Sequence, residues 1–223
     1  KELNLDDKAF PPKNVLSVIS NAKDQYLGPE EFARRHSAET DWRMARIAKI
    51  YATYQKKLAS ASALDFDDII FHTVTLLRQE PEVLEYYQRK FRYVLVDEYQ
   101  DTNHLQYLLT GLLAGGHRNL CVVGDDDQSI YRFRGATIEN ILSFEKQYKG
   151  CRTIRLEENY RSTGHILDAA NAVIRNNQGR KGKELWTRAG AGDMLRLYTA
   201  MHENDEAQYV ANKILEHFCQ GRK

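Results

Sequence analysis

Three acid-bearing clusters, each closing an apolar run, carry the residue types that phosphate chemistry needs. The first is Val96-Asp97-Glu98-Tyr99-Gln100-Asp101-Thr102-Asn103, which follows the apolar residues 93–96. Carboxylates at the end of a buried strand are costly to desolvate unless they meet a cation or a proton. Neighbours leaving a strand project in different directions. Asp97 can therefore hold Mg²⁺ while Glu98 orients or deprotonates an attacking water, and phosphoryl transfer needs little more than this plus charge stabilisation. The alternative is that both acids merely favour the N-terminus of the next helix. The full string, with Gln100, Asp101 and Thr102 behind the pair, favours the catalytic reading.

The second cluster, Gly124-Asp125-Asp126-Asp127-Gln128, closes the apolar residues 120–123. Gln128 at that exit can sense a terminal phosphate. Ser129-Ile130-Tyr131-Arg132-Phe133-Arg134 follows, alternating aromatic and basic. Rings offer a stacking platform for bases and guanidinium groups meet phosphates, as single-strand binders require. A short strand burying Tyr131 and Phe133, with its arginines in water, is the competing reading. The third cluster is Glu158-Asn159-Tyr160-Arg161, after residues 153–156. Arg161 just before a helix N-terminus suits a phosphate, because its fork is planar and always charged. Tyr160 can stack on a purine; otherwise the pair is surface decoration near a cap. A fourth stretch, Leu64-Asp65-Phe66-Asp67-Asp68, sets Phe66 among acids. Pattern alone favours a hydrophobic staple for Phe66 over an exposed stacking surface.

The elements around these clusters change character along the chain. Residues 1–60 read as helical and polar. Val15, Leu16, Val18 and Ile19 fit one helical face, and Pro29 suits the first turn of a second helix. Trp42, Met44, Ala45, Ile47, Tyr51, Tyr54 and Leu58 predict a long amphipathic helix. Its other face carries Arg43, Arg46, Lys49, Lys56 and Lys57, read as a solvated face rather than a phosphate-contacting one. From Leu64 onward helices and strands alternate. Asp65 caps a helix through Leu77 with Asp68 in its first turn. Strands are expected at 93–96, 120–123 and 153–156, and helices at about 103–114 and 137–148. Another helix follows Ser162 or Thr163, then a strand at 195–198 and a last helix at about 205–218. Short apolar strands separated by helices predict an α/β fold with a parallel sheet. Ligands bind such sheets at the carboxyl ends of the strands, where all three clusters lie.

Bulk composition is ordinary for a globular protein, with 223 residues, 42% apolar and 28% charged. A formal net charge of +1 announces no nucleic-acid partner, so such binding must come from local clusters. Three scattered cysteines show neither a metal spacing nor a disulfide framework, which fits a reducing cytosol. No apolar stretch approaches the roughly 20 residues a membrane span needs.

Taken in order, the strings resemble the superfamily-one DNA helicases of the UvrD/PcrA/Rep group. Residues 96–103 resemble their motif II, 123–136 motif III, 154–163 motif IV and 64–68 the motif Ib region. Residues 179–187, Gly-Arg-Lys-Gly-Lys-Glu-Leu-Trp-Thr, resemble a further family stretch. The resemblance implies two RecA-like P-loop NTPase domains with ATP in the cleft between them, and a helical inserted subdomain. It implies ATP-driven 3′ to 5′ translocation on single-stranded DNA and unwinding at single-strand/duplex junctions. Asp97 would serve Mg²⁺ and Glu98 would be the catalytic base. Gln128 and Arg161 would contact the γ-phosphate, Arg161 as an arginine finger, and Tyr160 would stack on adenine. Phe66, Tyr131, Phe133 and Arg134 would face single-stranded DNA. Position 133 is commonly tryptophan in this family, and Phe133 offers less stacking area.

No Gly-x-x-x-x-Gly-Lys-Ser/Thr string occurs in the chain, which begins at Lys1 rather than a methionine. The resemblance places that P-loop upstream of Lys1, and the later motifs beyond Lys223. The expected organisation is part of the inserted helical subdomain at 1–62, the later part of the first RecA-like domain at 63–157, and the opening of the second at 158–223. On this reading the chain alone does not hydrolyse ATP. Repair or replication proteins are the expected partners and a bacterial cytosol the expected setting, with no membrane association. The alternative is a stand-alone single-stranded-DNA-binding or regulatory module without ATPase activity.

Overall fold

The computed structural model describes residues 8–36 and 41–221, except for the Arg134 side chain. The chain forms two compact units. One comprises residues up to Thr153 together with Gly179–Lys181, and the other Ile154–Gln178 with Gly182–Lys223.

The first unit begins as three helices, α1 (Pro12–Asp24), α2 (Pro29–Arg35) and α3 (Trp42–Ser60). Pro12 and Pro29 each open a helix, where a missing N–H costs nothing. Asp41 caps α3 by accepting from the Met44 N–H at 3.0 Å. Val15, Ile19 and Ala22 of α1 pack with Leu27, Phe32, Ile47, Ala48 and Tyr51 in one buried cluster. Leu16, half exposed, falls off the buried face, which follows the four-residue step from Val15 to Ile19. The five cations of α3 all face water, as expected.

Next come α4 (Phe66–Gln79), α5 (Pro81–Lys90), β1 (Val94–Val96), α6 (His104–Ala114) and β2 (Leu120–Val122). The two strands pair in parallel, Val94 with Leu120 through Val96 with Val122. The helix expected at 137–148 divides into α7 (Glu139–Leu142) and α8 (Phe144–Gln147) about Ser143. The second unit holds α9 (Gly164–Ile174) and α10 (Glu203–Cys219).

Two expected strands are absent among the described residues. Residues 153–156 and 195–198 adopt no strand, and Ile154, Leu156 and Leu197 are largely exposed. A strand exists only by pairing, and neither segment forms a ladder. The nearest equivalent is an isolated parallel bridge between Glu158 and Trp186. Nor is β1 the buried strand expected from its sequence, since Leu95 at its centre is 75% exposed. The fold is thus helix-rich α/β with a two-stranded parallel sheet.

Candidate functional site

Asp97 and Glu98 leave the carboxyl end of β1 beside the exit of β2. Parallel pairing continues past the strands, with Val123 N–H donating to Val96 O at 2.8 Å and Tyr99 N–H to Val123 O at 2.9 Å. Between these anchors Glu98 adopts φ 49°, ψ 42°, the left-handed region that a non-glycine residue occupies only when its surroundings impose it. The Glu98 N–H donates to Asp97 Oδ1 at 2.9 Å. Both acids are exposed, so the desolvation cost expected for them does not arise in this chain. Two hydrated carboxylates at one strand end are hard oxygen donors of the type that suits Mg²⁺.

Tyr99 and Gln100 bury themselves at the start of the next turn, at 0% and 1% exposure. Burial pushes the Tyr99 hydroxyl pKa up, so it stays neutral. Gln100 uses both ends of its carboxamide. Nε2 donates to Glu98 Oε2 at 2.8 Å, while Oε1 accepts the Asp125 N–H at 2.9 Å. Asp125 Oδ2 in turn accepts from Gln128 Nε2 at 2.6 Å. A continuous path therefore runs from the Glu98 carboxylate to the Gln128 carboxamide through a buried glutamine. The sequence shows Gln100, but not that its two ends face the two clusters. Gly124 makes this approach possible: a Cβ there would lie 2.5 Å from Gln100 Oε1 and 2.8 Å from Ile141 Cδ1. Asn140 of α7 holds the same loop by donating to Thr102 O and Thr102 Oγ1, both at 3.1 Å.

Gln128 ends a 3₁₀ turn, Asp126–Gln128, whose cap is Asp125. A second 3₁₀ turn, Arg132–Arg134, replaces the short strand considered for this segment. Tyr131 and Phe133 are 39% and 75% exposed, with ring centroids 6.0 Å apart and planes inclined by 36°. The turn exposes both rings where a strand would have buried them. The Arg134 side chain lies outside the described residues.

Phe66 is the first residue of α4 and is 82% exposed. It is not a staple: Leu64 and Ile69, which a staple would join, are themselves exposed. What fixes this helix end is a reciprocal capping box. Asp65 Oδ1 accepts the Asp68 N–H at 2.8 Å and Asp68 Oδ2 accepts the Asp65 N–H at 3.2 Å. The buried Lys23 ammonium of α1 meets Asp65 at 2.6 Å and Asp68 at 2.8 Å. Tyr54 donates to Asp65 at 2.9 Å and Gln55 to Asp68 at 3.0 Å. Burial acts to raise the Asp65 pKa, but Lys23, the Asp68 N–H and Tyr54 together lower it. The Tyr54 hydroxyl is pushed up to about 12 by burial and by Asp65.

Asp24, next to Lys23, adjoins three of the clusters. Asn103 Nδ2 donates to its Oδ1 at 2.6 Å, and a Cβ on Gly135 would lie 3.0 Å from its Oδ2. Gly135 itself has φ +81°, where glycine is favoured. Burial, aided by the Asp67 carboxylate, pushes the Asp24 carboxyl up to about 6. Neither Lys23 nor Asp24 stands out in the sequence, because their partners lie in other helices and loops.

Tyr160 and Arg161 belong to the second unit. Tyr160 is 84% exposed and donates to Glu158 Oε2 at 2.9 Å. The exposed Arg161 sits in a turn made by Asn159, whose Oδ1 accepts the N–H groups of Arg161 at 2.9 Å and Ser162 at 2.8 Å. Thr163 occupies the N-cap of α9 but makes no side-chain cap bond. Gly190 O and Ala191 O accept the Gly164 and His165 N–H groups instead, at 2.8 and 2.9 Å.

The family model for the UvrD/REP helicase N-terminal domain matches residues 1–149. The chain belongs to the UvrD/REP helicase family. The model for the UvrD-like helicase C-terminal domain matches residues 154–223. Similar proteins include the ATP-dependent DNA helicase PcrA of Staphylococcus epidermidis strain ATCC 12228, 50% identical over all 223 residues. PcrA of Staphylococcus aureus strains Mu50 and NCTC 8325 is 51% identical over the same length. The chain spans 30% of the length of these curated relatives. No helix among the described residues is long and apolar enough to cross a membrane.

Proposed function

We propose that this chain is the central part of an ATP-dependent 3′ to 5′ DNA helicase that couples ATP hydrolysis to movement along single-stranded DNA. The observation that carries the reading is the hydrogen-bonded path Glu98–Gln100–Asp125–Gln128. It ties a hydrated carboxylate at one strand exit to a carboxamide at the next, as a base and a phosphate sensor would need. The first unit would be the later part of a RecA-like domain with part of a helical insertion, and the second the opening of another RecA-like domain. When bound, Mg²⁺ would neutralise charge on the transferred phosphoryl group. Asp97 would hold the ion. Glu98 would take the proton of the attacking water, with Gln100 fixing its carboxylate. Gln128 and Arg161 would hydrogen-bond the γ-phosphate and Tyr160 would stack on the adenine. Phe66, Tyr131 and Phe133 present exposed rings to a single strand, with Arg134 on its phosphates.

The isolated chain is expected to show no ATP turnover, because it carries no P-loop. The full-length gene product containing it should hydrolyse ATP, faster with an oligothymidine, and Glu98→Gln should abolish that turnover. Turnover that survives Glu98→Gln would overturn the assignment of the base. Oligothymidine binding without any turnover by the full-length product would favour a single-strand-binding module instead.

A further inference from the structure

The stretch 179–187 has no role in the mechanism above. Within it, Gly179–Lys181 belong to the first unit, although the residues on both sides belong to the second. Arg180 Nη2 donates to Asp127 Oδ2 at 2.6 Å, with side chains 16% and 7% exposed. The Lys181 N–H donates to Asp126 Oδ2 at 2.6 Å, and the Lys181 ammonium meets Glu145 at 3.1 Å. Asp126 and Asp127 are the first two residues of the turn that ends in Gln128.

Asp125, Asp126 and Asp127 bring one carboxylate oxygen each within 4.8 Å of one another. Like charges so close repel, and a turn of three residues has little to resist them. Within the turn the Asp127 N–H donates to Asp125 Oδ1 and the Gln128 N–H to Asp125 O, both at 3.0 Å, and Gln128 Nε2 donates to Asp125 Oδ2 at 2.6 Å. These fix Asp125 against the turn but do nothing for the charge on the other two acids. That charge is met by Arg180 and by the Lys181 N–H. The guanidinium presents a planar fork that a lysine cannot reproduce.

We propose that Arg180 is a positioning residue for Gln128: by neutralising Asp127 it fixes the Asp126–Gln128 turn, and with it the carboxamide that faces the phosphate. The consequence for catalysis rests on the assignment of Gln128 above; the ordering of the turn does not.

Both parts are tested with Arg180→Ala, Arg180→Lys and Asp127→Asn, alone and with Arg180→Ala in the double variant. In the chain itself, amide hydrogen exchange is read residue by residue. Arg180→Ala should raise exchange at Asp127 and Gln128 at least tenfold and leave the amides of α1, α3 and α4 unchanged. Adding Asp127→Asn should restore much of the protection, since it removes the uncompensated charge. In the full-length gene product, Arg180→Ala should lower kcat for ATP at least fivefold with KM within twofold, and Arg180→Lys should fall between it and wild type. Unchanged exchange at residues 127 and 128 would overturn the proposal, as would a wild-type kcat in Arg180→Ala. If Arg180→Ala opens the helices as well, Arg180→Lys and the double variant decide by the same readings. A wild-type product without ATP turnover would refute the role given to Gln128, and the exchange data would still decide whether Arg180 orders the turn.

Discussion

Lys23 and Asp68 form an ion pair 2.8 Å long in which each side chain keeps only 1% of its surface exposed. The pair joins the C-terminal end of α1 to the first turn of α4, and Asp65 adds a second carboxylate at 2.6 Å. A buried pair contributes little net stability over an apolar substitute, but losing one partner strands the other charge. Lys23→Met should therefore destabilise the chain by about 3–5 kcal/mol. Adding Asp68→Asn should recover part of that loss. Urea unfolding monitored by circular dichroism measures both, and a Lys23→Met midpoint equal to wild type would refute the structural role.

Gln100 carries a different kind of prediction, because it bridges two clusters rather than two helices. Gln100→Ala leaves the Asp125 N–H without its buried acceptor and the Glu98 carboxylate without its donor. An orphaned buried group costs about 1–3 kcal/mol, so the stability change should lie in that range. If Glu98 is the base and Gln128 the sensor, kcat for ATP in the full-length product should drop well beyond what partial unfolding explains, since both lose their support. A normal kcat in a folded Gln100→Ala variant would show that the hydrogen-bonded path is not used.

Asp24 makes stability depend on pH. Its folded pKa of about 6 lies above the ordinary 3.8, so the folded state holds this proton more tightly than the unfolded chain. Stability from this group is full below pH 4, falls as pH rises through about 6, and is level above. The carboxyl is only half-buried, which limits the loss to about 1 kcal/mol. Asp24→Asn keeps an acceptor for Asn103 and removes the ionisation. The variant should match wild type near pH 4 and exceed its stability by about 1 kcal/mol near pH 7.5. Thermal melts across that range test it, and parallel curves for the two proteins would count against it.

What the sequence discloses depends on how far apart the interacting residues lie. The Val15 and Ile19 positions of the α1 core face, the Asp65 cap and the Pro29 start are set within one or two turns, and all are legible. The Lys23–Asp65 bond joins residues 42 apart, and Arg180–Asp127 joins residues 53 apart. Nothing in either local sequence marks its partner. The runs at 153–156 and 195–198 fail for a related reason: apolar, β-favouring residues state a preference for pairing but do not supply the neighbouring strand. Within the first unit the candidate site is legible as two clusters of residue types. The left-handed backbone of Glu98 and the two-ended role of Gln100 are not, because both follow from how the exits of β1 and β2 meet.

A substitution at Phe66 separates binding from stability. Its ring is 82% exposed at the first position of α4, while the cap beneath it is held by Asp65, Asp68 and Lys23. Phe66→Ala removes little buried surface and no hydrogen bond of the cap, so the melting temperature should stay within a degree or two of wild type. If the ring stacks on a base, its loss costs about 1–3 kcal/mol of binding, or roughly 5- to 150-fold in affinity. Fluorescence anisotropy with a labelled oligothymidine measures this in the chain and in its full-length product. Phe66→Leu should fall between Ala and wild type, since it keeps apolar area but no π-face. Equal affinities for all three, with unchanged melts, would remove Phe66 from the strand-binding surface and leave Tyr131 and Phe133 to account for it.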